Sequence, residues 1–353
     1  AGMTPANSLW FGMDVANSTE DERRWLDDSA EIIWENIHAS NFDSAAFEGL
    51  LDVVCAGWFA LYIDQDREKG GYSFDLWPIS GVFCSASKPG GKIDSVYRSY
   101  KLTAEQAVNE FGENGVSETT RKLAKDKPQE LVEFVHAIYP RKSYVVGARL
   151  AKNMPIASCK VEVGAKKLVS ESGYHEMPVV VPRWMMIPDS VYATGPVAEA
   201  LPDARMLNEM VRMDMAAADL AIAGMWIAED DGVLNPRTVK VGPRKIIVAN
   251  SVDSMKPLQS GSNFNYSDSR ITRLQMAIRK TLMADQLRDQ DGPAMTATEV
   301  HARVSLIRQL LGPVYGRLQT EYLQPLIERC FGIAFRAGIL GNPPESLAGR
   351  PYT

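Results

Sequence analysis

The sequence predicts an α+β fold, because its hydrophobic periodicity changes twice along the chain. Between residues 58 and 184, short runs rich in strand-forming residues alternate with turn residues, whereas the segments before and after them follow helical spacing. Hydrophobic residues make up 45% of the 353-residue chain, which is enough to bury a sizeable core. We therefore expect a mixed region of two layers, with helices on one side of an antiparallel sheet, followed by longer helices.

The amino-terminal part combines two helices with a hairpin. Residues 1–19 predict a polar, irregular arm, residues 21–38 and 43–54 predict helices, and residues 58–63 and 72–77 predict strands on either side of a turn at 66–71. A further strand is expected at residues 95–100. Thr103 then caps a short helix that runs through Phe111, and Gln106 completes a capping box.

The middle of the chain returns to strands and then to helices. Extended runs are expected at residues 131–139, 144–150, 158–163 and 178–184, after a charged helix or linker at 117–126. From Pro202 an apolar helical stripe runs through Met206, Met210, Met213, Ala217 and Leu220. A small β-rich insertion follows, with strands near residues 225–228, 238–241 and 245–248.

A second helix is expected at residues 268–287. Its apolar residues Ile271, Leu274, Ile278 and Leu282 share one face, and its basic residues Arg270, Arg273 and Lys280 share another. Such a charged stripe is equally typical of a solvated helix face and of a surface that meets an anionic partner.

The longest helical pattern covers residues 295–340. Its apolar stripe runs through Val300, Val304, Ile307, Leu311, Val314, Leu318 and Tyr322, in steps of three and four residues. Thr296 and Glu299 have the spacing of a capping box at its start. Pro313 and Pro325 each lack the amide that would bond the carbonyl four residues earlier, so we expect the helix to bend twice without ending.

Composition disfavours several classes of protein. A formal net charge of -6 argues against tight binding of nucleic acid, although it is compatible with a channel through which DNA slides. The charge-free apolar run at residues 220–228 is far shorter than the roughly 20 residues of a membrane span, and no export signal is visible, so a soluble protein is expected. The scattered cysteines predict buried, reduced thiols in a cytoplasmic setting, without a zinc site: Cys55, Cys84, Cys159 and Cys330.

No motif of catalysis is recognisable. Gly90-Gly91-Lys92 lacks the first glycine and the following hydroxyl residue of a nucleotide-binding loop, since Ala86 and Ile93 stand at those positions. The four histidines are far apart: His38, His136, His175 and His301. Glu229, Asp230 and Asp231, beside Gly232, fit a solvated turn better than a divalent-ion site. The sequence therefore indicates a protein that is not an enzyme and that needs no cofactor or metal.

Distinctive strings occur along nearly the whole chain. The most specific are Met-Thr-Ala-Thr-Glu-Val at residues 295–300, Leu-Gly-Pro-Val-Tyr-Gly-Arg-Leu at 311–318, Glu321, and Pro-Leu-Ile-Glu-Arg at 325–329. Others lie at residues 57–63, 102–106, 173–174, 183–184 and 192–196, with Pro178. Together these strings resemble the portal, or head-to-tail connecting, proteins of short-tailed bacteriophages. Ala193 departs from the pattern, because many relatives carry glycine there, and this departure bears on the local turn.

The resemblance implies the portal fold, with an α/β wing, a helical stem, a small β-rich clip and a long kinked wing/crown helix. The implied parts are an amino-terminal arm (1–20), the wing (21–200), stem helix 1 (201–224), the clip (225–266), stem helix 2 (267–287), the tunnel loop (288–295), and the long kinked helix with the carboxy-terminal tail (296–353). Small side chains at Ala217, Ala218 and Ala221 are expected where stem helices of neighbouring copies pack. The residues expected to face DNA are Arg270, Arg273, Lys280, Arg288, Asp289, Gln290 and Asp291.

The resemblance also implies partners and a location. It implies a closed ring, usually of twelve subunits, at one capsid vertex of the virion, assembled in the host cytoplasm without a membrane. Double-stranded DNA would slide through the ring without sequence preference. The large terminase, the tail adaptor, and the major capsid and scaffolding proteins would bind to it. A non-viral structural ring or scaffold protein without catalytic activity is the alternative that the residues leave open.

Overall fold

The computed structural model describes residues 4–66, 70–145, 147, 150–223, 225–228, 255–258, 264–282, 284 and 312–347. The chain folds as two compact units, one of Ala1–Pro196 with Ala294–Thr353 and the other of Val197–Pro293. Helices and antiparallel strands both occur, which confirms the α+β class. Within the described residues, no helix has the length and apolar character that crossing a membrane requires.

Two helices open the first unit, α1 (Glu20–His38) and α2 (Phe42–Ala56), within two residues of the predicted ends. Helix α1 begins with a capping box that was not predicted. The amide of Glu22 donates to the Thr19 hydroxyl over 3.4 Å, and the Glu22 carboxylate accepts from the Thr19 amide over 2.7 Å. This pair satisfies two of the amides that every helix start leaves without an intrahelical partner.

The segment before α1 differs from the predicted polar arm. Its described residues, 4–19, lie in no helix or strand, as expected. Met13 and Val15 are nevertheless buried, and Trp10 and Phe11 pack against the same core. The Trp10 indole donates to His38 Nε2 over 3.2 Å. Apolar side chains that alternate irregularly carry no periodic signal, so this segment of the core was not visible in the sequence.

A three-stranded antiparallel sheet covers one side of these helices. The predicted hairpin forms β1 (Ala60–Gln65) and β2 (Tyr72–Trp77), and the short strand β8 (Val179–Val180) pairs with the other edge of β1. Alternate residues of β1 serve two cores: Leu61 and Ile63 face the helices, whereas Ala60 lies in a second cluster on the opposite face.

The second sheet has five antiparallel strands, in the order β3 (Val82–Ser85), β4 (Ser95–Thr103), β5 (Leu131–Pro140), β6 (Ile156–Glu162) and β7 (Lys167–Tyr174). Helix α3 (Ala104–Phe111) packs against Phe134 of β5, and helix α4 (Glu118–Asp126) contacts β6, where the Thr120 hydroxyl donates to Glu162 over 2.7 Å. The predicted capping box of α3 is confirmed, since Gln106 N donates to Thr103 Oγ1 and Thr103 N donates to Gln106 Oε1.

Three predictions about this region were wrong or incomplete. The region contains two sheets, whereas one was predicted. The two sheets pack against each other through Val96 and Ile138 of the second and Ala60 and Trp77 of the first. Strands β3 and β7 were not predicted. The run at residues 144–150 is not a strand in its described residues, and its Val145 amide donates to the Asn153 carbonyl inside the same connection between β5 and β6.

The described end of the first unit is a helix with an altered turn. Residues 312–318 are α-helical, Gln319–Leu323 form a π-helical turn, and α7 follows at Gln324–Arg336. The helix thus continues through Pro325 as predicted, and the wider turn lies where the proline cannot donate to the Glu321 carbonyl. It ends at Arg336, earlier than the predicted 340. The start of this pattern, with Thr296 and Glu299, and any bend that precedes Pro313, lie outside the described residues.

The second unit contains two long helices and a strand pair. Helix α5 spans Pro196–Ala223, so it begins before the predicted Pro202, and its interior accommodates that proline. Strand β11 (Met225–Ala228) was predicted and pairs with β12 (Met255–Leu258). Helix α6 spans Phe264–Thr281 and begins four residues before the predicted start. The strands predicted at residues 238–241 and 245–248, the acidic turn at 229–231 and the loop at 288–295 lie outside the described residues.

The cysteines are all free, as predicted, but they are not all buried. Cys84 and Cys330 are buried, Cys159 is half-buried and Cys55 is exposed. Burial raises the pKa of the Cys84 thiol to about 12 and also raises the pKa of Cys330, so neither forms a reactive thiolate at neutral pH. Among the described residues, no cluster of histidine, cysteine and carboxylate side chains has the arrangement of a metal site.

Candidate functional site

Helix α6 carries the basic face that the sequence predicted. Ile271, Leu274 and Ile278 are half-buried, whereas Arg270, Arg273 and Lys280 are exposed. The basic positions are separated by three and seven residues, which places them on one side of a helix. The α6 segment contains four basic residues and one acidic residue, Asp268. The face therefore combines exposure with a positive charge in a chain whose net charge is -6.

Helix α5 has the opposite charge. It contains five acidic residues, Glu199, Asp203, Glu209, Asp214 and Asp219, and two basic ones, Arg205 and Arg212. The Ser267 hydroxyl on α6 donates to Asp214 Oδ1 on α5 over 2.7 Å, so the two helices contact each other directly. The predicted packing residues Ala217 and Ala218 are half-buried on α5, and the side chain of Ala221 is not among those described.

A buried ion pair connects the long carboxy-terminal helix to the segment that leads into α5. Arg183, with a side chain only 2% exposed, donates to Glu321 over 3.0 Å from Nε and 2.6 Å from Nη2. The guanidinium also donates to the carbonyls of Val191 and Gly91, which lie 3.2 and 3.3 Å away. Glu321 belongs to the π-helical turn, so this turn is fixed by a bidentate interaction with a residue 138 positions away in the sequence.

A second cluster of charges holds α7 in place. Glu176 accepts from both terminal nitrogens of Arg336, over 2.5 and 2.8 Å, and from Arg329 over 3.2 Å. Gly332 provides the space for this carboxylate, since a Cβ there would lie 2.5 Å from Glu176 Oε1. A cavity of about 430 Å³ lies beside the cluster, lined also by Asp64, Gln65, Met154, Gly173, Tyr174, His175, Ile333 and Ala337. Because the two arginines already bind two carboxylates, the cavity lacks a surplus of charge for a ligand.

The Glu176 cluster predicts sensitivity to acid. Burial alone would raise the pKa of Glu176, but its hydrogen bonds to Arg336 and Arg329 and their positive charges outweigh burial and lower it below the ordinary 4.5. A lowered folded-state pKa gives stability that is present above pH 4.5 and is lost as the pH falls through the folded-state value. We expect Glu176→Gln to lower the urea midpoint at pH 7 and to reduce its decline between about pH 5 and pH 3.

The measurement is a series of urea titrations across this pH range, with Glu345→Gln as the control. Glu345 is an exposed carboxylate of the same unit, on the turn Glu345–Leu347. The control should follow the parental curve. If Glu176→Gln does so as well, the arginine cluster does not contribute to the acid sensitivity of the fold.

His136 and Ser158 are 22 residues apart in the sequence but lie next to each other in the structure. His136 Nε2 lies 2.8 Å from Ser158 Oγ on the neighbouring strand, and both side chains are only 4% exposed. Burial, together with the positive charges of the nearby Lys160 and Arg98, lowers the pKa of His136 to about 3. A neutral imidazole enclosed between two sheets has no access to a substrate, so the pair contributes to packing. Its pairing depends on the strand register, which short sequence motifs do not encode.

Four predicted DNA-facing residues cannot be placed beside the basic face, because Arg288, Asp289, Gln290 and Asp291 lie outside the described residues. Ala193, the departure from the family pattern, is buried in β10 (Ala193–Thr194), which pairs with β9 (Met185–Met186). Alanine therefore fits this strand position, and β10 pairs with β9 through it.

Comparison with known proteins gives consistent matches. The family model described as "Bacteriophage head to tail connecting protein" matches residues 1–353. The chain is 27% identical over 361 residues to a probable portal protein of Bordetella phage BPP-1, and the alignment covers 99% of this chain and 65% of the relative. It is 30% identical over 287 residues to the portal protein of Salmonella phage epsilon15, which covers 78% of this chain and 51% of that relative. The chain thus spans between half and two thirds of the length of these curated relatives.

A chain from a solved structure of the virion of a native gene transfer agent particle aligns over 95% of this chain and 82% of that chain. Its TM-score of 0.31 and its 13% identity are too low to support an argument about this chain. The family assignment rests on the sequence matches, which cover the described fold from the amino-terminal segment to α7. On these matches, the chain belongs to the bacteriophage head-to-tail connecting protein family.

Proposed function

We propose that copies of this chain form a ring-shaped channel at one vertex of a phage capsid, through which double-stranded DNA is packaged and later ejected. The observation that carries the proposal is the exposed basic face of α6, formed by Arg270, Arg273 and Lys280 on an otherwise acidic chain. An 18-residue helix is about 27 Å long, which is most of one ~34 Å turn of B-form DNA, so successive basic rings would contact phosphates along the duplex. A net negative chain limits how tightly DNA is held, and this favours sliding.

The finer assignments belong to the same proposal. Helices α5 and α6 would be the stem, the segment that joins them the clip predicted at 225–266, and the loop at 288–295 a constriction whose acidic side chains keep the duplex centred. The ring would have twelve copies, bind a large terminase during packaging and a tail adaptor afterwards, and contact capsid and scaffolding proteins in the virion. The family membership and the lack of a phosphate-binding loop in the sequence support a passive channel driven by a separate motor.

The test reverses the charge of the α6 face. The triple variant Arg270→Glu/Arg273→Glu/Lys280→Glu should form normal rings, because these side chains are exposed, but it should package DNA at least tenfold more slowly. The parental dependence of packaging rate on salt should also become weaker. Negative-stain imaging measures ring formation, and a packaging assay in extracts measures the amount of nuclease-protected DNA over time.

The matched control is Lys122→Glu/Lys125→Glu/Lys127→Glu, which changes the net charge equally at exposed positions on or next to α4. It should package at the parental rate. Equal packaging rates for both triple variants would remove α6 from the DNA path, and the absence of rings in the parental chain would overturn the channel itself.

A further inference from the structure

Helix α2 presents an apolar stripe that none of the described residues of its chain covers. Phe47, Leu51 and Val54 recur at helical spacing on its outer side, and Phe47 is 60% exposed. The opposite side of the helix, including Phe42 and Val53, is buried in the core. Three large apolar side chains on one exposed helix face exceed what an isolated surface residue explains, and they are typical of a protein contact.

Acidic side chains border this α2 stripe. Helix α2 contains Asp43, Glu48 and Asp52 and no basic residue. Glu48 and Asp52 are four residues apart, so two like charges are neighbours on the helix surface. Partial burial and the charge of Glu48 together raise the pKa of Asp52. A cation from another molecule would relieve this repulsion.

The connection between β5 and β6 has the complementary character. Its described residues are 141–145, 147 and 150–155, and we call them the β5–β6 arm. The Arg141 amide donates to the Pro155 carbonyl over 2.8 Å, and the Val145 amide donates to Asn153 over 3.0 Å, so the two sides of the arm are held together. Tyr144, Val145 and Leu150 are exposed, and Leu150 is exposed to 70%.

The charge of the arm is positive. Residues 141–155 contain no aspartate or glutamate in the sequence. Arg141 is paired with Glu171 of β7, whereas Lys142 and Lys152 are exposed beside the apolar residues of the arm. Both the α2 stripe and the arm thus consist of three exposed apolar side chains with charged neighbours, and the charges are of opposite sign.

We propose that the β5–β6 arm of one copy docks on the α2 stripe of the next copy, with Lys142 and Lys152 placed against Glu48 and Asp52. This inference rests on the proposed ring. The two surfaces differ, so the contact is heterologous, and its repetition around a closed rotation produces a ring in which every copy uses both surfaces. Apolar contacts at the centre with charges at the rim match the usual composition of an interface. The occupant is a second copy, because the complementary charge and the apolar residues occur on the same chain.

A paired charge exchange tests this contact. The stripe variant Glu48→Lys/Asp52→Lys places basic side chains on both surfaces, and the arm variant Lys142→Glu/Lys152→Glu places acidic side chains on both. We expect each variant alone to bind itself at least tenfold more weakly than the parental chain, because like charges then face each other. An equimolar mixture should recover assembly, since alternating copies pair opposite charges at every contact. Light scattering after size exclusion measures assembly, and circular dichroism checks that each variant is folded.

A crosslinking experiment on the parental chain gives a second measurement. Carbodiimide joins a lysine amine to a carboxylate in direct contact, and a mixture of ¹⁴N- and ¹⁵N-labelled chains distinguishes crosslinks between copies from those within one. Mixed-isotope crosslinks from Lys142 or Lys152 to Glu48 or Asp52 are expected. Crosslinks confined to one isotope would overturn the docking.

The outcomes separate this inference from the proposed channel. If the parental chain forms rings and the stripe variant and the arm variant each form normal rings as well, the docking is overturned and the channel is left intact. Loss of assembly in both variants without recovery in the mixture would show that the two surfaces do not face each other, and this too overturns the docking. A parental chain that forms no ring under any condition would overturn the channel and the docking together.

Discussion

Replacing Glu321 by glutamine is expected to lower the free energy of unfolding by about 3 kcal/mol or more, because it removes the carboxylate that compensates a buried guanidinium. Arg183 is 2% exposed, so the variant would leave its guanidinium buried without a compensating carboxylate. Its two hydrogen bonds to Glu321, of 3.0 and 2.6 Å, are charge-assisted and bidentate. The carbonyls of Val191 and Gly91 that also bind it cannot neutralise its charge.

Equilibrium unfolding in urea, followed by tryptophan fluorescence, measures this effect. The double variant Arg183→Met/Glu321→Met should lose much less stability than the sum of its two single variants, because it leaves no unpaired charge. The control is Glu110→Gln, which breaks the ion pair with Lys160 at a site where the glutamate is 40% exposed, and should cost less than about 1 kcal/mol. A loss for Glu321→Gln no greater than that of the control would mean that water reaches the Arg183 site.

The pairing of Arg183 with Glu321 could not be predicted from the sequence. Arg183 and Glu321 are 138 residues apart, and both occur in strings that resemble the family, yet neither string indicates a partner for the other. Periodicity reports which face of an element is buried, but it carries no information about which elements meet. The π-helical turn was equally hidden, because the sequence marks only Pro325 and not how the preceding turn adapts to it.

Local signals were reliable where one short motif determines the structure. Thr103 and Gln106 were predicted as a capping box and form one. Thr19 and Glu22 have the same spacing and form the same box, so a systematic search for this motif would have found the start of α1. By contrast, the run at residues 144–150 has strand-forming composition, yet its described residues form no strand, and β-propensity alone could not reveal this.

The shared face of the basic residues on α6 was predictable for the same local reason. The spacing of Arg270, Arg273 and Lys280 determines that they share one face once α6 is a helix. The opposite charge of α5 was also available from the sequence, although the contact between Ser267 and Asp214 was not. The α2 stripe and the β5–β6 arm could not be predicted from the sequence, because the exposure of Phe47 and Leu150 is a property of tertiary packing.

Replacing Gly57 by alanine is expected to cost about 3–5 kcal/mol, because it combines backbone strain with a collision. Gly57 ends α2 with a φ of +91°, a conformation that disfavours any residue with a Cβ. A Cβ at this position would lie 2.3 Å from the carbonyl carbon of Thr194. Neither backbone has room to move: the Gly57 amide donates to Val53, its carbonyl accepts from Trp184, and a Cβ at Gly195 would lie 2.5 Å from Val54 O.

Gly338→Ala is a control that isolates the collision. Gly338 follows α7 with a φ of +73°, and a Cβ there would have no heavy atom within 4 Å. It should therefore cost only the strain of a left-handed backbone, about 1–2 kcal/mol. The difference between the two variants in urea unfolding measures the close approach of residues 57 and 194, immediately before α5 begins. Because the atoms that collide belong to the backbone, a rotamer change cannot relieve the collision. Equal losses of stability for the two variants would show that residues 57 and 194 are farther apart than the structure places them.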